Sequence, residues 1–138
     1  MAFSKITIEA TVNSPTQKVW TYWTKPEHIT KWNFAIDTWQ CPSAFNDLKV
    51  GGKYGARMEA KDGSFGFDFV ATYNEVVDQK ILMYTMEDGR TARTTFENLG
   101  DKTKVTTVFD AETQNSLEMQ KGGWQSILNN FKKYTETH

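Results

Sequence analysis

From Lys53 to Asp110 the chain repeats one pattern, a stretch of alternating side chains followed by a turn signal. Tyr54, Ala56, Met58 and Ala60 alternate with Gly55, Arg57, Glu59 and Lys61 over 53–61, and Asp62-Gly63 follows. Over 65–77, Phe67, Phe69, Ala71 and Tyr73 oppose Asp68, Val70, Thr72 and Asn74, with Asp78-Gln79 next. Residues 80–87 set Leu82, Tyr84 and Met86 against Ile81 and Met83, up to Asp88-Gly89. Residues 90–98 set Ala92, Thr94 and Phe96 against Arg93, Thr95 and Glu97, up to Gly100-Asp101, and 103–110 carry Val105, Thr107 and Phe109. Period-two alternation is the mark of a strand with one buried face. Links this short cannot house a crossover, so neighbouring strands must run antiparallel. Residues 3–13, with Ile6, Ile8, Ala10 and Val12 on one face, form a further strand, and 44–50 a short one ended by Gly51-Gly52.

Residues Asn115 to Tyr134 break the period. Leu117, Trp124, Ile127, Leu128, Phe131 and Tyr134 fall on one side of a helical wheel, flanked by Gln120 and Lys121, with Glu118, Lys132 and Lys133 towards water. One long amphipathic helix after a run of strands must lay its apolar side on their sheet. Two short helices precede the sheet, one over about 15–24 with Ser14 as N-cap and Pro15 at the first helical position, and one to about Trp32 capped by Thr24. Val19, Trp20 and Trp23 form the buried side of the first; His28, Ile29 and Trp32 fall near one face of the second. Residues 33–43 lack a period and read as an aromatic-rich loop. The expectation is one α+β domain over 1–138.

Several classes of function are excluded by composition. A net charge of -1 with interleaved signs offers no basic patch for phosphates, so no nucleic-acid partner is expected. No apolar run is long enough to insert in a membrane. The first residues alternate like a strand and carry no signal-peptide pattern, and a single cysteine, Cys41, fits a reducing compartment; a cytoplasmic location is expected.

Five Trp, five Tyr and nine Phe build either a large aromatic core or an aromatic-lined cavity. The inward sets carry Tyr54, Met58, Phe67, Phe69, Tyr84, Met86, Phe96 and Phe109. Trp124, Ile127, Leu128 and Phe131 face them from the helix, with Trp32, Phe34 and Trp39 placed to close a mouth. The hydroxyls of Tyr54, Tyr73, Tyr84, Thr94 and Thr107 are the polar atoms on these faces, suited to a carbonyl or phenol. Methionine at 58, 83 and 86 adapts to irregular ligands and equally fills core gaps.

Catalytic signatures are missing. No Ser-His-Asp or Cys-His spacing occurs, and His28, His138 and Cys41 make a poor zinc set, so neither metal nor cofactor is expected. Glu59 and Asp68 are solvated unless a bulge at Gly63 or Gly66 turns Asp68 inwards. Arg57 and Arg93 either reach a ligand carboxylate or are solvated, and Cys41 has no activating neighbour. Gly122-Gly123 within the helix calls for a close approach of another element or for a kink.

Four separated motifs occur in order: NSPTQKVWTYWTKPEHITKW at 13–32, DLKVGGKY at 47–54, EAKDGSFGFDF at 59–69 and GGWQSILNNFKKY at 122–134. Together they resemble the Hsp90-ATPase-activator-like branch of the START-like superfamily, also labelled SRPBCC or polyketide-cyclase-like. The resemblance covers nearly the whole chain. It implies the helix-grip (START/Bet v 1-like) fold, a curved antiparallel sheet of about seven strands around a long C-terminal helix, with two short helices at one end. It also implies a small hydrophobic ligand, aromatic or lipid-like, held between sheet and helix. The ligand-binding residues are then expected to be Trp32, Phe34, Trp39, Tyr54, Met58, Phe67, Phe69, Tyr84, Met86, Trp124, Ile127 and Leu128. Two alternatives stand beside this reading. One is an enzyme of cyclase or hydrolase type, which needs a carboxylate or histidine facing the cavity, or an inward tyrosine. The other is a chaperone-interaction module. Eukaryotic Hsp90 activators resemble this chain only over their C-terminal domain, and a first strand beginning at residue 3 leaves no room for their N-terminal domain, which disfavours a chaperone partner.

Overall fold

A computed structural model describes residues 3–138. Strand β1 (Lys5–Val12) leads into helices α1 (Thr16–Thr24) and α2 (Pro26–Trp32). Six strands follow: β2 (Trp39–Asn46), β3 (Lys53–Ala60), β4 (Gly66–Val77), β5 (Ile81–Met86), β6 (Thr91–Asn98) and β7 (Thr103–Asp110). Helix α3 (Leu117–Thr137) ends the chain. The strands form one antiparallel sheet in the order β1-β7-β6-β5-β4-β3-β2. Hairpins join β2 through β7 in sequence, and β1 closes on β7 with Ile8 opposite Thr107. The sheet curls around α3, which packs along β1. This is the α+β helix-grip architecture.

The alternation decides which face is buried. Ile6, Ile8, Val12, Leu82, Ala92, Phe96, Val105 and Phe109 point inwards and form the core with Leu128 and Phe131 of α3. At the end where α1 and α2 sit, Phe131 meets Trp23 at 4.8 Å and Trp32 at 4.9 Å, both edge-on. Aromatic edges against faces favour this packing beyond the area they bury. Asp110 ties the far end together. Its carboxylate accepts from Lys5 Nζ and from the Thr91 backbone N–H at 2.9 Å and hydroxyl at 3.0 Å, joining β1, β6 and β7. Burial alone would raise this carboxyl; the bonds from Lys5 and Thr91 outweigh it and hold it below the usual range.

Several local expectations are corrected. Helix α1 starts at Thr16 with Pro15 itself as the N-cap, and Ser14 is buried, with its carbonyl accepting from the Thr103 hydroxyl at 2.9 Å. Lys25, not Thr24, caps α2; the Thr24 hydroxyl turns back to the Trp20 carbonyl at 2.8 Å. At Thr24 the cause is that a hydroxyl beside a helix start has a competing backbone partner in the preceding turn. The loop expected over 33–43 is partly strand. β2 runs 39–46 rather than 44–50, and its pairing with β3 slips between Gln40 and Ser43. Cys41-Pro42 lies in that slip, where a proline without an N–H is tolerated in an edge strand. The irregularity erases the period that would have marked the strand.

On α3, Leu117 is not part of the buried stripe, being 51% exposed, whereas Gln120 is buried. Ser116 caps the helix by accepting from Met119 N–H at 3.1 Å. Gln120 accepts from Glu112 N–H at 2.9 Å, and its amide donates to the Glu112 and Asn115 carbonyls at 3.1 and 2.9 Å. A Cβ at Gly122 or Gly123 would meet nothing within 4 Å, so no close approach accounts for the pair.

Candidate functional site

Between the curled sheet and α3 lies a cavity of about 350 Å³. Inward positions of the strands supply one wall, and Trp124, Ile127 and Leu128 the opposite one. Trp23, Trp32 and Asn33 lie at the α1–α2 end. Met58 and Phe67 of the β3–β4 hairpin lie at the other end, with Arg90, Glu112, Asn115 and Gln120. Trp124 forms its wall by stacking flat on Phe109, at 3.9 Å and 9° between planes.

Three phenols dominate the interior. Tyr54 and Tyr84 stack at 5.8 Å and 10°, and Phe69 meets Tyr84 at 5.7 Å near the perpendicular. Both tyrosines keep accessible surface although protein surrounds them, because that surface belongs to the cavity. The Tyr54 hydroxyl accepts from Asn33 Nδ2 at 3.3 Å, and Tyr73 donates to Asn46 Oδ1 at 2.8 Å. Tyr84 has no hydrogen-bond partner among the described residues. Burial raises all three phenols, with the neighbouring phenols adding to the effect at Tyr54, and Arg90 partly opposing it at Tyr84. Near neutral pH they are therefore hydrogen-bonding groups, not bases. Thr94 and Thr107 bond each other at 2.8 Å.

Of the residues expected at the site, Trp32, Tyr54, Met58, Phe67, Phe69, Tyr84, Trp124, Ile127 and Leu128 line the cavity. Phe34, Trp39 and Met86 do not. Met86 is buried in the core, filling it rather than the cavity wall. Trp39 lies on the edge strand at 5.9 Å from Phe65 and 6.2 Å from Phe67, beyond the rim. The Phe34 carbonyl and the Trp32 carbonyl are bound by Asn130 Nδ2 at 3.5 and 2.9 Å, which clamps the 33–38 segment to α3.

The charged candidates face outwards. Arg57 lies 3.2 Å from Glu59 and 3.5 Å from Asp68, and the register Arg57↔Asp68 carries no bulge. Arg93 pairs with Glu75 at 3.3 Å. Cys41 is buried, which pushes its thiol up. In their place the cavity wall includes two charged side chains that the alternation did not single out. Arg90 shares the parity of Ala92, Thr94 and Phe96, so extending that set by one step back would have found it. Glu112 follows β7 in a loop, where no period applies. Its carboxylate accepts from Asn115 N–H at 2.7 Å and Nδ2 at 3.2 Å.

The profile of the family described as "Activator of Hsp90 ATPase homolog 1-like protein" matches residues 13–136. Among solved structures, the AHSA1-like protein from Aeromonas hydrophila is 41% identical with a TM-score of 0.91, over 97% of this chain and 93% of that one. A protein from Cytophaga hutchinsonii is 48% identical with a TM-score of 0.83, over 96% and 92%. One from Nitrosomonas europaea shares the fold at 21% identity and a TM-score of 0.82, over 96% and 94%. No curated protein matches the chain. A profile match over nearly its whole length, with two near relatives of the same fold, establishes that the chain belongs to the activator of Hsp90 ATPase homolog 1-like family.

Proposed function

We propose that the chain binds a small, mostly apolar molecule, aromatic or lipid-like, in the cavity under α3. One observation carries this reading: about 350 Å³ of space walled by Trp, Tyr, Phe, Leu and Ile side chains with a few polar atoms among them. A space of that size and lining suits a small organic molecule, whose burial in it is favoured by about 25 cal/mol per Å² of apolar surface. Inward tyrosines and the Glu112 carboxylate meet the minimum that the enzymatic alternative requires, and the predominantly apolar wall around them is what favours binding. Displacement of an environment-sensitive dye tests the proposal. Ile127→Trp, which projects an indole into the cavity, is expected to abolish dye binding while cooperative unfolding is retained. Undiminished dye binding in that variant would place the dye elsewhere and sink the reading.

A second reading rests on a separate observation. Ile36, Phe65 and Phe67 are 57%, 62% and 41% exposed, an apolar surface around the β3–β4 hairpin. Exposed apolar patches mark contact surfaces. The family's description makes an Hsp90-type chaperone the partner to try. Stimulation of its ATPase by wild-type protein but not by Phe65→Ser would support this second role; no stimulation by wild type removes it.

A further inference from the structure

The cavity is apolar along its length and charged at one end. Arg90 points from the β5–β6 hairpin into that end, with only 19% of its side chain exposed. The outward arginines differ, at 37% for Arg57 and 47% for Arg93, and each meets carboxylates in water. Asp88 Oδ2 accepts from Arg90 Nε at 2.7 Å, and Asp88 Oδ1 from the Arg90 backbone N–H at 3.1 Å. That pairing orients the planar guanidinium and leaves Nη1 and Nη2 without a partner among the described residues. The hydroxyl of Tyr84, on the neighbouring strand and the same face, is also unpartnered among the described residues. The other polar groups here are already engaged. Gln120 spends its amide on the 112–116 backbone, and the Glu112 carboxylate is held by Asn115 with no ion pair to Arg90. Two donors of an arginine fork and a phenol, left free in an apolar wall, match the two oxygens of a carboxylate or sulfonate.

We propose that Arg90 and Tyr84 form an anion-recognising pole, so that the ligand is an apolar acid with its charged group at the β5–β6 hairpin and its hydrocarbon under α3. This rests on the cavity reading above and adds the ligand's charge to it.

Two fluorescent probes with the same ring system separate the claims: 1-anilinonaphthalene-8-sulfonate, an anion, and N-phenyl-1-naphthylamine, which lacks the sulfonate. Wild type is expected to bind the anion more tightly. Arg90→Gln is expected to lower the ratio of the two affinities at least about tenfold, with Arg90→Lys intermediate and Tyr84→Phe lowering it about threefold. Arg93→Gln, on the outer face, leaves the ratio unchanged. Thermal unfolding of each variant verifies the fold, and if Arg90→Gln does not fold, Arg90→Lys and Tyr84→Phe carry the test. An unchanged ratio in folded Arg90 and Tyr84 variants overturns the pole, as does tighter binding of the neutral probe by wild type; in both cases the cavity reading stands. Failure of wild type to bind either probe defeats the cavity reading, and the pole with it.

Discussion

Trp124 and Phe131 sit seven residues apart on one helical stripe and have different surroundings. Phe131 is fully buried between Trp23 and Trp32. Trp124 has one ring face on Phe109, while part of its surface lines the cavity. Truncating a close-packed aromatic loses its transfer free energy and leaves a void, at about 3–5 kcal/mol. Phe131→Ala is expected to cost that much. Trp124→Ala, which enlarges a space that already exists, is expected to cost roughly 2–3 kcal/mol, the stacking on Phe109 being its main loss. Urea unfolding of the two variants checks the order, and equal losses would contradict it. The stripe was legible from spacing alone. Which of its members pack and which border a space was not, because that depends on how far the sheet stands from each turn of α3. Arg90 belongs to the same lesson: its parity is written in the chain, but the absence, among the described residues, of a partner for its outer nitrogens is a fact of distance.

At the scale of elements, α3 carries two glycines with no packing reason behind them. The space beyond each is open, and glycine in a helix interior costs about 0.5–1 kcal/mol against alanine. Gly122→Ala is therefore expected to raise stability by about 0.5–1 kcal/mol, seen as a higher urea midpoint at unchanged slope. The far end of α3 is joined to α2 through His28. Its ring stacks on Tyr22 at 4.0 Å, and its Nδ1 lies 2.8 Å from the Tyr134 hydroxyl. Burial lowers the imidazole from its ordinary 6.5; Glu27 opposes this, and Lys25 and His138 add to it. The unfolded chain therefore takes up this proton first as pH falls. The contribution of His28 is complete above about pH 6.5 and is lost as pH falls through the folded value. Compared with His28→Gln, wild type should lose relative stability as pH falls below about 6.5. A difference that grows on acidification would reverse the sign and refute the assignment.

For the molecule as a whole, a binding cavity predicts linkage between ligand and stability. A probe present at about 100 times its Kd should add about 2.7 kcal/mol and raise Tm by roughly 10 °C in wild type. Ile127→Trp should show no such rise. The architecture was determined by the sequence itself, and for a physical reason. Alternation over 53–110 and the turn signals between its segments are local properties, and links that short admit only antiparallel neighbours. An amphipathic helix at the end of such a run has nowhere else to bury its stripe. Two helix caps and the edge strand β2 were misassigned: the Thr24 hydroxyl bonds back to its own helix, and a slipped edge pairing hides the strand's period. What only the tertiary structure decided is the interior: that Met86 fills core while Met58 borders a void, that Asp68 and Glu59 face water, and that Arg90 and Tyr84 keep donors without a partner among the described residues. A cavity is a volume left over between elements. Its presence depends on the curl of the sheet and the height of α3 above it, which no residue encodes alone.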